Sequence, residues 1–155
     1  MPVETNLRNT RVRHLDLSSS VCVDRAAPLA AVVARMREEV IGCVLVCEED
    51  RVIGIFTERD LLLKVVGQGV DYDAPVGEYM SPDPTSLGPD ALLGDAIAKM
   101  SGGGYRNLPL VGEDGKVSKL LTARDVIRYI GEHFPREILD LPPEGQRRFD
   151  SPEGA

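Results

Sequence analysis

The 155-residue chain is short of several residue patterns, and each shortage excludes a class of protein. Its three cysteines, Cys22, Cys43 and Cys47, give no disulfide framework. Cys43 and Cys47 close the two ends of an apolar run, Cys43-Val44-Leu45-Val46-Cys47, where period-2 geometry puts both on one strand face. His14 and His133 lie far from them in sequence, so no zinc-ligand spacing exists, and each thiol reads as a small buried hydrophobe. Basic residues are in the minority, 18 against 25 acidic ones, for a formal net charge of −7. That balance argues against a surface for a nucleic-acid backbone, which needs a basic stripe. No apolar run approaches the roughly 18 residues of a membrane span. Met1 to Arg13 is polar and lacks an apolar signal core. The expectation is a cytoplasmic protein with neither nucleic acid nor membrane as a partner.

Catalytic patterns are missing as well. There is no nucleophile elbow, no P-loop and no metal-ligand spacing. Gly102-Gly103-Gly104 is not a phosphate loop, because no Lys-Ser/Thr follows it. The chain therefore reads as a protein that is not an enzyme and carries no catalytic cofactor.

What is present is a long internal repeat. Val52-Ile53-Gly54-Ile55-Phe56-Thr57-Glu58-Arg59-Asp60-Leu61-Leu62 returns as Val117-Ser118-Lys119-Leu120-Leu121-Thr122-Ala123-Arg124-Asp125-Val126-Ile127. Thr57, Arg59 and Asp60 map onto Thr122, Arg124 and Asp125 at one constant offset, and only two copies exist. That points to two similar units packed on each other and not to a solenoid.

Each copy reads strand, helix, strand, strand, helix. In the first, the short extended segment Val21-Cys22-Val23 precedes a helix from Pro28 to Glu39 with Leu29, Val32, Val33 and Met36 at helical spacing. Strands Cys43 to Cys47 and Arg51 to Phe56 follow, joined by Glu48-Glu49-Asp50. Thr57 opens a helix expected to bury Leu61, Leu62, Val65 and Val66, and Gly67 ends it. In the second, Thr85-Ser86-Leu87 precedes a helix carrying Leu92, Leu93, Ile97 and Met100, which the triglycine stops. Leu108 to Val111 and Lys116 to Leu121 pair around Glu113-Asp114-Gly115, and Thr122 opens a helix with Val126, Ile127 and Ile130 inward. The organisation expected is an arm (1–11), a first repeat (12–67), a linker (68–80), a second repeat (81–134) and a partly disordered tail (135–155). Val76, Tyr79 and Met80 are the linker's packing anchors, and Ile138-Leu139-Asp140-Leu141 is an apolar patch able to dock on the body or a partner.

The ordered pattern resembles the cystathionine-β-synthase (CBS) domain family. The resemblance rests on the β-α-β-β-α repeat, Gly54-Ile55-Phe56-Thr57-Glu58-Arg59-Asp60, Leu120-Leu121-Thr122-Ala123-Arg124-Asp125 and Tyr105-Arg106-Asn107-Leu108-Pro109-Leu110-Val111. Val76 to Pro84 is similar to the family's usual lead-in to its second repeat. The resemblance covers roughly Val12 to His133. It implies an α/β fold of the α+β type, a tandem CBS pair (Bateman module) with pseudo-two-fold symmetry. It also implies two clefts for adenosyl ligands such as AMP, ADP, ATP or S-adenosylmethionine, a homodimer, and regulation of a target protein that the sequence leaves unknown.

Two readings of Thr-x-x-Asp compete. At the start of a helix the free amides and the positive dipole end attract an anion, and Thr122 and Arg124 add donors. Asp125, acceptor-only when ionised, is able to take both ribose hydroxyl protons. Those are roles that the resemblance implies, with Arg106, Asn107, Leu108 and Pro109 around the adenine and phosphates. The structural alternative is a capping box, which engages the carboxylate with its own helix. Tyr105 reads as core or interface, and Pro109 as a mark of an irregular or edge strand. The first copy offers Thr57, Arg59, Asp60, Ile41 and Gly42, but lacks the Arg and Pro of the second, and Glu58 brings a carboxylate that repels phosphate. Unequal sites are expected. Lys119, at the position of Gly54, faces either a cleft or solvent. The function expected is a non-enzymatic adenosyl-ligand sensor; the alternative is a structural adaptor dimer with vestigial clefts.

Overall fold

A computed structural model describes residues 3–133. The tail 135–155, with the Ile138-Leu141 patch, lies outside the described residues. The elements run α1 (Val3–Asn9), β1 (Cys22–Val23), α2 (Leu29–Glu38), β2 (Cys43–Glu48), β3 (Arg51–Thr57), α3 (Glu58–Asp60), β4 (Ser81–Pro82), α4 (Leu93–Gly103), β5 (Asn107–Val111), β6 (Val117–Thr122) and α5 (Ala123–His133). Helix α3 continues directly into a π-helical turn, Leu61–Val65.

The first sheet has the order β1-β2-β3-β4, with β1 parallel to β2 and the other pairs antiparallel. The second ladder is β5-β6, and isolated bridges extend it in the same sense: Leu87 lies parallel to Leu110, and Ser18 antiparallel to Leu120. Both units therefore have one plan. The β2-β3 connection places Glu49 and Asp50 at φ 50° and 65°, a primed two-residue turn built without glycine. Its counterpart in the second unit uses Gly115 at φ 79°.

The strand alternation partitions the core. Val44, Val46 and Phe56 face α2 and form one cluster with Leu29, Val32 and Met36. Cys43, Leu45, Cys47 and Ile55 face the other way and meet Leu120 of the second unit. Leu108, Leu110 and Leu121 pack with Leu93, Ala96 and Val126. At about 25 cal/mol per Å² of buried apolar surface, these faces supply the main driving force of folding.

The segments leading into each unit cross over. Val12 and Leu15, ahead of the first unit, are buried in the second unit's core, while Val76 and the half-buried Tyr79 and Met80 pack in the first. The bridges Arg11–Leu92 and Pro28–Pro75 repeat this exchange symmetrically. The arm contains a helix, α1, that nothing in its polar sequence announced. It docks on α4, where a Cβ on Gly94 would lie 3.0 Å from Arg8.

Several packing expectations are corrected. Leu62 and Val66 are exposed, because the π-turn widens the helical repeat and only Val65 points fully inward. Ile127 is 69% exposed, since Val126 and the half-buried Ile130 already define the inward stripe of α5. Tyr105 is exposed too, lying over Gly103 and not in the core. Cys22 is half-buried, while Cys43 and Cys47 are buried. Helix α4 runs through Gly103 and ends at Gly104, in the left-handed region.

Candidate functional site

Both β-strand-to-helix corners carry the same reciprocal cap. The Asp60 N–H donates to Thr57 Oγ1 at 3.2 Å, and the Thr57 N–H to Asp60 Oδ2 at 3.0 Å. The Asp125 N–H donates to Thr122 Oγ1 at 3.1 Å, and the Thr122 N–H to Asp125 Oδ2 at 3.0 Å. The capping alternative is thus realised at both copies.

The carboxylates do more than cap. Asp60 and Asp125 are the buried acidic side chains among the described residues, at 7% and 2% exposure. Each takes a hydroxyl from the segment that crosses over from ahead of the other unit. Ser18 Oγ donates to Asp125, 3.0 Å from Oδ1 and 3.1 Å from Oδ2, and Ser81 Oγ donates to Asp60 Oδ1 at 2.9 Å. Each also has a cation one turn further along its helix. Arg128 Nη2 reaches Asp125 Oδ1 at 2.6 Å, and Lys64 Nζ reaches Asp60 Oδ1 at 3.0 Å. Burial pushes the Asp60 carboxyl up, but Lys64, the Thr57 amide and the Ser81 hydroxyl outweigh it and hold the group below the ordinary carboxylate range.

The sequence-predicted residues gather at these two corners. Asn107 pairs with Thr122 across β5 and β6, and the Ala123 N–H donates to the Arg106 carbonyl at 2.8 Å. Arg106 and Arg124 are exposed beside them. Leu108 is fully buried in the second unit's core, so its side chain belongs to the core and not to the corner. Pro109 is buried opposite Leu120, and its carbonyl accepts from the Leu87 N–H. Pro109 therefore lies inside an extended sheet and not at its edge, in a strand whose register shifts between Leu110 and Val111.

At the first corner the Glu58 N–H donates to the Gly42 carbonyl at 3.0 Å, the counterpart of the Ala123–Arg106 bond. Ile41 packs into the first core, and Arg59 is exposed. A Cβ at Gly42 would lie 2.9 Å from Glu58 Oε1, so a carboxylate covers the backbone where the second unit carries Arg106. The second corner is thus the richer in basic residues: Arg106 and Arg124 are exposed at the start of the helix, and Arg128 pairs with the buried Asp125.

Lys119 is exposed and lines a shallow pocket of about 280 Å³ with Arg13, Leu15, Asp16, Leu17 and Leu110. None of the sequence-predicted ligand residues lines it. Ser18, Ser81, Lys64 and Arg128 were not singled out in the sequence. The two cations carry a signal, at i+4 and i+3 from their aspartates. The serines carry none, because their partners are 107 and 21 residues away. Among the described residues no group of three His, Cys, Asp or Glu is placed to hold a metal ion, and no helix is long and apolar enough to cross a membrane.

Two β-α-β-β-α units, exchanging their lead-in segments and each bearing a capped Thr-x-x-Asp corner, define a tandem two-unit architecture. The family model for the CBS domain matches residues 12–67 and 76–132, and the chain belongs to that family. It is 38% identical over 96 residues to the uncharacterized protein MK0525 of Methanopyrus kandleri, covering 61% of this chain and 49% of that one. The chain thus spans about half the length of that relative. An uncharacterized 17.7 kDa protein of Acidianus ambivalens is 30% identical over 120 residues, 77% of this chain and 72% of the relative. Among solved structures, the CBS domain protein NE2398 has a TM-score of 0.72 at 26% identity, covering 77% of this chain and 96% of that one. CBSX2 in complex with AMP gives 0.70 at 21%, covering 79% and 97%. The cytosolic domain of the Mg2+ channel MgtE in complex with ATP gives 0.66 at 22%, covering 80% and 50%. At those identities the last two likenesses show the fold alone.

Proposed function

We propose that this protein is a non-enzymatic regulatory module that binds an adenosyl ligand, AMP, ADP, ATP or S-adenosylmethionine, at its two strand-helix corners. The observation that carries this reading is the second corner. A helix of 11 residues begins there beside Arg106 and Arg124, with a buried carboxylate at its first turn that Arg128 holds. Phosphates suit the arginines and the helix start, and a ribose suits the carboxylate. The first corner, with Glu58 over Gly42, suits a ligand of lower negative charge. The AMP and ATP complexes of CBSX2 and the MgtE domain support the ligand class. A ligand that touches both units favours the packing it bridges, and passes that preference to a cytoplasmic partner protein.

The module acts as a homodimer. Leu62 and Ile127, equivalent residues of the two units, are 65% and 69% exposed, and Leu63 and Val66 widen the first patch. A second copy is the occupant that meets equivalent patches on both units at once. Leu62→Glu with Ile127→Glu is expected to yield a folded monomer in sedimentation; an unchanged dimer rules out this face.

Calorimetry on nucleotide-stripped protein tests the ligand. Micromolar binding of AMP, ADP, ATP or S-adenosylmethionine is expected, reduced mainly by Arg106→Ala and Arg124→Ala and less by Arg59→Ala. These arginines are exposed, so their loss leaves the caps intact. The adaptor reading, with vestigial clefts, draws on the full engagement of both carboxylates by protein groups. A folded dimer that gives no heat with any of the four ligands decides for it.

A further inference from the structure

Ser18 and Ser81 belong to no ligand motif in the sequence, yet each sits on the carboxylate that the ligand's ribose needs. We propose that the two serine hydroxyls compete with a ribose diol for Asp125 and Asp60, and so set the affinity of each site and couple it to the segment bearing the serine. The inference rests on the adenosyl-binding reading above.

The geometry at Asp125 carries it. Ser18 Oγ lies almost equally far from both carboxylate oxygens, 3.0 and 3.1 Å, so one O–H is shared between two acceptors. A vicinal diol addresses the same two oxygens with two donors, one each. Each oxygen has one further donor, the Thr122 N–H on Oδ2 and Arg128 on Oδ1, and a carboxylate oxygen accepts more than one. Exchange of Ser18 for a diol leaves both in place and adds a donor. At Asp60 the competition is for one oxygen: Ser81 and Lys64 are on Oδ1, while the Thr57 N–H and hydroxyl are on Oδ2.

The two serines are not equally easy to displace. Ser18 is tied to the sheet by an isolated bridge, in which the Leu120 N–H donates to its carbonyl at 3.2 Å. Ser81 lies within β4, paired to β3 at Ile55 and followed by Pro82 opposite Gly54, and its hydroxyl is also 3.3 Å from Lys64 Nζ. The second site therefore opens first. Its opening loosens the segment between the buried Leu15 and β1, which joins the second unit's core to the first unit's sheet.

The test titrates nucleotide-stripped full chain, wild type, Ser18→Ala, Ser18→Thr and Ser81→Ala, with AMP, ADP, ATP, S-adenosylmethionine and the 2′-deoxy forms of AMP and ATP. Ser18→Ala is expected to bind the ribonucleotide about tenfold more tightly than wild type, the worth of one hydrogen bond to a charged group. Ser18→Thr, which keeps the hydroxyl, is expected to behave as wild type. The gain shrinks with the 2′-deoxy forms, which lack one of the two donors. In wild-type protein the ribonucleotide should also accelerate hydrogen exchange of the Leu120 amide, a readout that needs no variant. Binding that is equal in wild type and Ser18→Ala, with unchanged Leu120 exchange, overturns the competition and leaves the adenosyl reading intact. Absence of binding by every variant with AMP, ADP, ATP and S-adenosylmethionine overturns the adenosyl reading, and the competition with it.

Discussion

Val40 ends α2 in a conformation that its side chain resists. Its φ is 52°, in the left-handed region, and the residue is 84% exposed. The Val40 N–H donates to the Arg37 carbonyl at 3.4 Å, and the Ile41 N–H to the Met36 carbonyl at 3.0 Å. These are the paired bonds of a Schellman end, and Met36 and Ile41 both pack in the first core to complete it. Glycine is the usual residue there, and the second unit has it: Gly104 follows Met100 as Val40 follows Met36, at φ 71°. An L-residue in this region costs roughly 1–2 kcal/mol. Glycine returns roughly 0.4–1 kcal/mol of that through its freer unfolded chain. With its side chain in solvent, Val40 has no packing to lose. Val40→Gly is therefore expected to stabilise the protein by about 0.5–1 kcal/mol, or about 1–4 °C in Tm for a chain of this size. Urea denaturation measures it, with an unchanged m-value as the sign that the folded and unfolded states are otherwise the same. Gly104→Val should move stability the other way. A neutral or destabilising Val40→Gly at constant m would refute the argument.

Other expectations follow from single contacts. A Cβ on Gly54 would overlap the Met80 sulfur and lie 3.1 Å from the Ser81 carbonyl, so Gly54→Ala should prise β4 from β3 and lower stability by roughly 1–3 kcal/mol; an unchanged urea midpoint contradicts this. The folded Asp60 pKa is depressed, so its contribution is fully present above the unfolded value of about 4 and is lost as pH falls through the folded value. Asp60→Asn, which keeps an acceptor for the Thr57 amide, should flatten the loss of stability below about pH 4; equal slopes for the two proteins would count against that assignment. Burial pushes the Cys43 thiol up to about 12, and burial followed by the neighbouring Cys22 raises Cys47. Iodoacetamide at neutral pH should therefore spare both in folded protein and label all three thiols in urea; rapid native labelling of Cys43 would show that the sheet interface is open.

Local pattern determined a great deal. The strands from Cys43 to Phe56 are legible because a strand buried on both faces is apolar throughout, and the clusters on its two sides follow from period 2. The Thr-x-x-Asp corners are legible because a cap involves residues three apart. The same locality explains the failures. Helical spacing placed Leu62 and Val66 inward by assuming 3.6 residues per turn, which the π-turn does not keep. Helix α1 escaped notice because its stability comes from docking on α4, across a glycine far along the chain.

By itself, then, the sequence determined two copies of one unit, the strands and most helices within each, and the family to which they belong. Only the tertiary structure decided which unit each lead-in segment packs against, that both aspartates are clamped by serines from those segments, and that Leu62 and Ile127 are left to solvent. The physical reason is one of range. Propensity and periodicity report bonds between residues a few positions apart, whereas the exchange of segments is set by which apolar face and which buried charge remain unsatisfied once both units have formed.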